Sequence, residues 1–165
     1  GGVGHCAVQY AHHLGAHVTA TCGPDNVAFV RELGADEVLD YTREDYAAAT
    51  VPFDVIFDTT GHASWRACRH VLAPDGVYVN TSPDAASVVK TLGEKVAARL
   101  AGRQRVVAFV LKPRAEAWRR LAKLAEAGAI VPHVRATIGL ADVAEAERQM
   151  ETGHGRGKIV VLPSR

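Results

Sequence analysis

Apolar and polar positions along the chain follow two periods, one typical of helices and one typical of strands. Near the start, Val3, Ala7, Tyr10 and Leu14 recur at helical spacing and predict a first helix with one apolar face. Gly15 stands where a residue in the left-handed conformation would end that helix. The same Leu-Gly-Ala junction returns after the second predicted helix, which indicates that one type of helix-to-strand connection is used twice.

A different pattern marks the strands. Residues 53–58 form a continuous apolar run of strand length, which is typical of a parallel strand buried on both faces. The predicted helices are residues 3–14, 27–33, 63–72, 85–101, 114–127 and 141–151. The predicted strands are residues 17–22, 37–39, 53–58, 77–80, 106–111, a short one near 134, and 158–162, with a turn at 73–76. Either Asp25 or Asn26 is expected to cap the second helix.

The chain opens on the turn Gly1-Gly2-Val3-Gly4, which leads directly into the first helix. Glycines in such a turn let backbone N–H groups and the helix dipole approach a pyrophosphate, as in dinucleotide-binding folds. The strand that normally precedes the turn is missing, and the glycines alone could equally be an ordinary helix start. We interpret the chain as a fragment that is truncated at the glycine loop, lacks the first strand and is inactive alone.

Strands alternate with helices over the first hundred residues, which indicates right-handed βαβ units. The predicted fold class is therefore α/β, a doubly wound parallel sheet of the Rossmann type that lacks its first strand. The missing strand would lie between the strands at 17–22 and 53–58. We expect these two strands in one doubly wound arrangement, with a gap or a substitute strand between them.

Several segments, in order along the chain, resemble one known family. Gly1–Gln9, Leu14–Ala16 and Leu33–Tyr41 are similar to the cofactor domain of the medium-chain dehydrogenase/reductase superfamily. Later segments resemble its fourth-strand motif, its turn before strand five and the closing motif of its zinc-independent, NADPH:quinone oxidoreductase-like branch: Phe53–Gly61, Leu72–Gly76 and Gly153–Val160. The resemblance implies an oxidoreductase that passes hydride between NADPH and a quinone, enone or related carbonyl compound.

Carried over position by position, the resemblance implies contacts to each part of the dinucleotide. Gly1, Gly2, Val3 and Gly4 would hold the pyrophosphate, and Tyr41 would approach the adenosine phosphate. The remaining implied contacts follow later strands: Thr60 and Gly61 along the ribose, and Asn80, Thr81, Phe109, Val110 and Leu111 at the nicotinamide end.

The end of the strand at 17–22 is where these folds select between NAD and NADP. An NAD enzyme needs a carboxylate there to bind both ribose hydroxyls. This place holds Thr21, Cys22 and Gly23, while Asp25 comes several residues too late. NADPH is therefore the predicted cofactor, with NADH as the alternative. The family branch often carries Lys where this chain has Asn26, so one expected phosphate partner is missing and the preference is predicted to be modest.

Eight histidines and three cysteines raise the question of a metal site or a disulfide. His5, His12 and His13 share no i, i+4 geometry with carboxylates, and no cysteine pair has zinc spacing, so no zinc is expected. The odd number of cysteines favours a reducing compartment, and the cytoplasm is the predicted location. A net charge of +1 and the lack of a long apolar run give no reason to expect nucleic acid or a membrane as partner.

The expected organisation has a dinucleotide-binding domain at residues 1–105, followed by the last strand and a segment that returns to a catalytic domain at 106–165. The strand at 105–111 should lie at the sheet edge, where an apolar run is a pairing hazard. The resemblance suggests that two copies join there into a homodimer. A small-molecule substrate is the expected partner, and no catalytic residue is assigned.

Two alternatives from other functional classes stay open. An S-adenosylmethionine-dependent methyltransferase also has a glycine-rich first turn, although the strand at 17–22 lacks the acid that such enzymes use for ribose hydroxyls. A non-catalytic nucleotide-sensing module is the second alternative, because this fold hosts many functions.

Overall fold

The computed structural model describes residues 1–81, 85–108, 114–151 and 155–163. The chain divides into two compact units, which are described separately below: Gly1–Glu44 with Pro113–Arg165, and Asp45–Lys112. Phe109, Val110 and Leu111, which the resemblance assigns to the nicotinamide end, lie outside the described residues. The division of the protein into residues 1–105 and 106–165 stays a prediction.

Helices and strands alternate in chain order, as the sequence pattern predicts. The helices are α1 (Gly4–His13), α2 (Val27–Glu32), α3 (Trp65–Cys68), α4 (Ala85–Ala101), α5 (Ala115–Glu126) and α6 (Val143–Glu151). The strands are β1 (Thr19–Cys22), β2 (Glu37–Asp40), β3 (Phe53–Asp58), β4 (Leu72–Asn80), β5 (Arg105–Ala108), β6 (Val134–Gly139) and β7 (Lys158–Leu162). The predicted bounds of α4 and β7 are confirmed at both ends.

All strand pairs in the described part of the chain are parallel, which confirms the α/β class. The pairs form separate sheets with the orders β1-β2, β3-β4-β5 and β6-β7. β1 and β3 lie in separate hydrogen-bonded sheets, as the expected gap between them requires, and no substitute strand is found among the described residues. In the doubly wound order another strand bonds to both of them. No strand among the described residues takes that place, so β1 and β3 share no ladder.

The first unit is built around the β1-α2-β2 connection. Its small core consists of Val18, Ala35 and Val38, against which apolar residues of α1 and α2 pack. Gly15 and Gly34 have φ values of +76° and +98°. The prediction that these glycines end α1 and α2 in the left-handed conformation is confirmed, and no β-branched or bulky residue would adopt it without strain.

The second unit has one well-packed face of its three-stranded sheet. Ile56, Tyr78 and Val106 lie in register on β3, β4 and β5, and they join a core that also includes Trp65 and Cys68 of α3. Tyr78 and Cys68 are almost completely buried. Ala98 of α4 closes the same cluster, so α3 and α4 both cover this face.

The opposite face of that sheet is not covered to the same extent. Val55 and Phe57 of β3 remain 57% and 46% exposed, and Val107 of β5 is 41% exposed. The prediction that residues 53–58 are buried on both faces is therefore wrong. Successive side chains of a strand point to opposite faces, and the core helices lie against only one of them.

Local signals misled the prediction at three further places. The predicted turn at 73–76 lies inside β4, where the register with β3 shifts between Phe53 and Val55. The predicted helix at 63–72 is only the short α3, with the Ser64 hydroxyl accepting from the Ala67 N–H. Neither Asp25 nor Asn26 caps α2 through its side chain.

Candidate cofactor-binding site

The glycine turn lies at the N-terminal end of α1, as predicted. Val3 occupies the N-cap position, and its carbonyl accepts from the N–H groups of Cys6 and Ala7. A Cβ on Gly2 would lie only 3.2 Å from the Nζ of Lys158. The start of α1 thus combines the positive end of the helix dipole with a lysine ammonium, and both favour an anion. The sequence pattern gave no sign that Lys158 comes this close.

His5 is buried directly behind the turn, with 3% of its surface exposed. Its Nδ1–H donates to the carbonyl of Gly1 at 2.9 Å, and its Nε2 accepts from the backbone N–H of His133 at 3.1 Å. These partners fix one neutral tautomer. Burial lowers the pKa of the His5 imidazole, and the nearby charge of Lys158 lowers it further.

Gln9 ties the next turn of α1 to the same returning segment. Its side-chain carbonyl accepts from the Val131 N–H at 2.8 Å, and its amide donates to the Val131 carbonyl at 3.1 Å. Gln9 is also almost fully buried. The helix that carries the glycine turn is therefore held by three hydrogen bonds to residues 131–133.

Because His5 is held in a neutral form, we expect the free energy of unfolding to depend on pH. Because the folded-state pKa is lowered, the unfolded chain takes up the proton first as the pH falls below about 6.5. Protonation would place a hydrogen on Nε2 against the N–H of His133, so stability is full above that pH and lost below it. We expect unfolding in urea to show a loss of about 1 kcal/mol between pH 7.5 and 5.5 that His5→Gln removes. The exposed His13→Gln should retain the loss, and an equal pH profile for both variants would contradict the assignment.

The end of β1 holds the second group of predicted residues in this unit. Thr21 and Cys22 end the strand, and the Tyr41 N–H donates to the Cys22 carbonyl at 3.2 Å. A Cβ on Gly23 would lie 3.1 Å from the Tyr41 hydroxyl oxygen. The end of β1, Gly23 and Tyr41 are thus brought together.

A carboxylate of β2 lies in register with the end of β1. Asp40 pairs in register with Cys22, and one of its oxygens accepts from the Thr42 hydroxyl at 2.7 Å and from the Thr42 N–H at 2.9 Å. The hydroxyl and backbone hydrogen bonds of Thr42 hold the pKa of Asp40 below its usual range. Asp40 is buried and bonded to its own loop.

In the second unit, the predicted residues gather around a carboxylate that the sequence analysis did not single out. Oδ1 of Asp58 accepts from the N–H and hydroxyl of Thr60 and from the N–H of Gly61, at 2.8–3.0 Å. Oδ2 accepts from the Tyr78 hydroxyl at 2.9 Å and from the Ala63 N–H at 3.2 Å. The Asp-Thr-Thr-Gly sequence carried a signal for this turn, because an aspartate often accepts from backbone N–H groups two and three residues later.

These hydrogen bonds decide the charge of Asp58. Burial alone would raise its pKa, but the hydrogen bonds from Thr60, Tyr78 and Gly61 outweigh burial and hold the pKa below its usual range. Burial and the bond to Asp58 raise the pKa of Tyr78 in turn. The structure thus keeps a charged carboxylate beneath the loop of residues 58–63.

Two more predicted residues of this unit, Asn80 and Thr81, lie beside Asp58. Asn80 ends β4 in register with Asp58, and Thr81 donates to the Asp58 carbonyl from its N–H at 3.0 Å and from its hydroxyl at 3.2 Å. Gly61 has a φ of +74°, which favours glycine at this position. Asp58 therefore orders Thr60 and Gly61 through its carboxylate and Thr81 through its carbonyl.

Within the described residues, no group of three or more His, Cys, Asp and Glu side chains could hold a metal ion. No helix in that part of the chain is long and apolar enough to cross a membrane.

Comparison with known proteins places this chain in a family. The model of the family described as "Zinc-binding dehydrogenase" matches residues 33–161. The chain is 32% identical over 167 residues to the chloroplast envelope quinone oxidoreductase homolog of Arabidopsis thaliana, covering 99% of this chain and 50% of that protein. It is 30% identical to the chloroplastic NADPH-dependent alkenal/one oxidoreductase of the same plant, covering 99% of this chain and 38% of that protein.

A solved structure shows the same likeness in three dimensions. The quinone oxidoreductase of Coxiella burnetii superimposes with a TM-score of 0.84 at 27% identity, covering 97% of this chain and 49% of that chain. The chain thus spans about half the length of the Arabidopsis quinone oxidoreductase homolog and of the Coxiella quinone oxidoreductase. It belongs to the zinc-binding dehydrogenase family, as a quinone oxidoreductase-like member of the medium-chain dehydrogenase/reductase superfamily, and corresponds to the cofactor-domain half of its relatives.

Proposed function

We propose that this chain is the NADPH-binding part of an oxidoreductase that transfers hydride between NADPH and a quinone, enone or related carbonyl compound. One observation carries the proposal: Lys158 lies against Gly2 in the glycine turn of α1, and β1 ends at Cys22 without a carboxylate. The names of the Arabidopsis relatives, a quinone oxidoreductase homolog and an NADPH-dependent alkenal/one oxidoreductase, support the substrate class. Membership of an oxidoreductase family is incompatible with the methyltransferase alternative.

The residues of the first unit fit a phosphorylated dinucleotide. Gly1, Gly2 and Gly4 together with Lys158 would hold the pyrophosphate through N–H groups and one ammonium. Tyr41 would approach the adenosine phosphate, and Thr21 and Cys22 would lie beside the adenosine ribose. The nicotinamide of the bound cofactor supplies the hydride, and these residues bind and orient it.

The polar strand ends of the second unit remain the predicted contacts for the rest of the cofactor. Thr60 and Gly61 would lie along the ribose, and Asn80 and Thr81 would approach the nicotinamide. Asp58 is proposed as a positioning residue, because its carboxylate accepts hydrogen bonds from Thr60 and Gly61 and so orients the loop rather than the ligand.

The family name mentions zinc, but the described residues of this chain do not fit a zinc site. A protein zinc site needs three or four His, Cys, Asp or Glu ligands around one point. No such group exists in the described ranges. We therefore derive no step through zinc in this part of the protein and propose a zinc-independent hydride transfer.

Substitution at the end of β1 tests the cofactor assignment. The whole protein should bind NADPH more tightly than NADH by about 1–2 kcal/mol, the value of one or two hydrogen bonds to the 2′-phosphate. Cys22→Asp should erase or reverse this preference, because a carboxylate repels the phosphate and accepts the ribose hydroxyls. Calorimetric dissociation constants for both dinucleotides give the ratio, with the uncharged Cys22→Asn as control.

Two results would contradict the proposal. If the unaltered protein binds neither dinucleotide, the site assignment is wrong. If it binds NADPH but does not oxidise it in the presence of a naphthoquinone or an enone, the nucleotide-sensing alternative is favoured. An unchanged affinity ratio in Cys22→Asp would show that β1 does not select the cofactor.

We also propose that the whole protein is a homodimer joined through the strand at 105–111. In support, β5 pairs only with β4 in its described sheet, and Val107 is partly exposed. An open strand of this kind pairs readily with another chain. Sedimentation should therefore give the mass of two subunits at micromolar concentration, and a monomer at all concentrations would refute the proposal. A cytoplasmic location stays a prediction.

A further inference from the structure

Arg156 lies against the loop that follows β1, although 130 residues separate it from Asn26. Its Nε donates to the side-chain oxygen of Asn26 at 2.6 Å, and its Nη2 donates to the backbone carbonyl of Asp25. The guanidinium also lies over the ring of Phe29, with Cζ 5.8 Å from the ring centroid. A cation from the C-terminal segment is therefore held at the start of α2.

The backbone next to Arg156 fixes this position. Gly157 has a φ of +65°, and the Lys158 N–H donates to the His133 carbonyl at 2.8 Å. The ring of His133 lies 4.9 Å from the ring of Phe29, the residue beneath the guanidinium. The backbone that leads from Arg156 into β7 is fixed, and so is the Phe29 ring beneath the guanidinium. Binding a ligand would therefore cost little conformational entropy at Arg156.

The guanidinium retains hydrogen-bonding capacity. Arginine has five N–H donors in a planar fork, and two of them serve Asn26 and Asp25. Among the described residues, no carboxylate forms an ion pair with Arg156. A planar fork with spare donors and an unneutralised charge matches a phosphate group.

The location of this cation coincides with the place that selects the cofactor. The Asn26 N–H donates to the Gly23 carbonyl at 2.9 Å, and the Tyr41 hydroxyl lies close over Gly23. Arg156, through Asn26, therefore belongs to the same loop as Tyr41 and the end of β1.

Two other arginines in this region, Arg31 and Arg43, are less suited to a phosphate. The Nε of Arg43 lies 3.9 Å from the Asp40 carboxylate. Both arginines line a cleft of about 300 Å³ that also contains Asp40 and Glu44, so an anion there would meet two carboxylates.

We propose that Arg156, from the C-terminal segment, recognises the 2′-phosphate of NADPH. This inference rests on the proposed function, since it assumes that a dinucleotide binds along the end of β1. Asn26 then acts as a positioning residue that orients the guanidinium rather than as a phosphate ligand.

The test compares dissociation constants of NADPH and NADH, measured by calorimetry on the whole protein. Arg156→Ala should weaken NADPH binding by about tenfold or more, as expected for a lost charge-assisted hydrogen bond, and leave NADH within about twofold. Arg156→Lys should give an intermediate loss, because a point charge replaces the bidentate fork. Arg43→Ala is the matched control and should retain the NADPH preference. Adenosine 2′,5′-bisphosphate should follow NADPH through the series, since it carries the same phosphate without nicotinamide.

The outcomes separate this inference from the proposed function. If the unaltered protein binds neither dinucleotide, both fail. If it binds NADPH but Arg156→Ala weakens both dinucleotides equally, or if Arg43→Ala removes the preference instead, the proposed function stands and the role of Arg156 is overturned. If Arg156→Ala lowers the melting temperature, the comparison is made with Arg156→Lys instead. The inference is overturned if Arg156→Lys binds NADPH and adenosine 2′,5′-bisphosphate as tightly as the unaltered protein does.

Discussion

Alanine at Gly157 is expected to destabilise the first unit by about 3–5 kcal/mol, a large part of a typical folding free energy. A Cβ at this position would lie 2.1 Å from the His133 carbonyl oxygen and 2.9 Å from its carbonyl carbon. Both atoms belong to the backbone, so neither can rotate away. The φ of +65° adds strain for any residue with a side chain. The shift needed would also break the hydrogen bond from Lys158 to His133.

The measurement is the free energy of unfolding in urea, followed by circular dichroism. Gly128→Ala is the matched control, because Gly128 has a φ of +71° but nothing within 4 Å of an added Cβ. It should cost only about 1–2 kcal/mol, the strain of the left-handed conformation alone. Equal losses in the two variants would show that the contact with His133 is not the cause.

Asparagine at Asp58 is expected to destabilise the second unit by about 3 kcal/mol, because a buried charged acceptor is replaced by a group with two donors. The Asp58 carboxylate now accepts five hydrogen bonds, including one from the buried Tyr78 hydroxyl. An amide nitrogen in place of either oxygen would face N–H or O–H donors. Asp54→Asn is the control on the same strand, where an exposed side chain should change stability by less than about 0.5 kcal/mol.

The stability difference between the unaltered protein and Asp58→Asn should also depend on pH, which provides a second readout. The folded-state pKa of Asp58 is held below its usual range, so its stabilisation is complete above about pH 4 and is lost as the pH falls through the folded value. The stability gap between the unaltered protein and Asp58→Asn should therefore narrow in acid. A gap that is constant from pH 7 to pH 3 would show that the charge of Asp58 does not stabilise the loop.

Local pattern was sufficient for some elements and insufficient for others. The helix Ala85–Ala101 and the strand Lys158–Leu162 have the predicted bounds, because helical periodicity and a β-branched run act within a few residues. The segment 73–76 reads as a turn from its Pro-Asp-Gly sequence, yet it lies within β4. A Cβ on Gly76 would lie 2.7 Å from Leu72, so the chain there folds closely on itself while both flanks pair with β3.

Some parts of the candidate site are also visible as local sequence patterns, and others are not. The glycine turn, the acid-free end of β1 and the polar ends of β3 and β4 are visible in the sequence, because each is a short motif. Asp58 was missed although its Asp-Thr-Thr-Gly turn is equally local. Lys158 beside Gly2 and Arg156 beside Asn26 have no local signal, since each pair lies more than a hundred residues apart.

The sequence by itself determined the alternation of helices and parallel strands, the left-handed glycines at positions 15 and 34, and a β1 that ends without an acid. These features depend on side-chain period and on backbone conformations within a few residues. Only the tertiary structure decided which face of β3 is covered, that β1 and β3 share no ladder, and which cations reach the glycine turn and Asn26. Those properties depend on where distant segments return and on which groups they exclude from water, and no local pattern encodes that path.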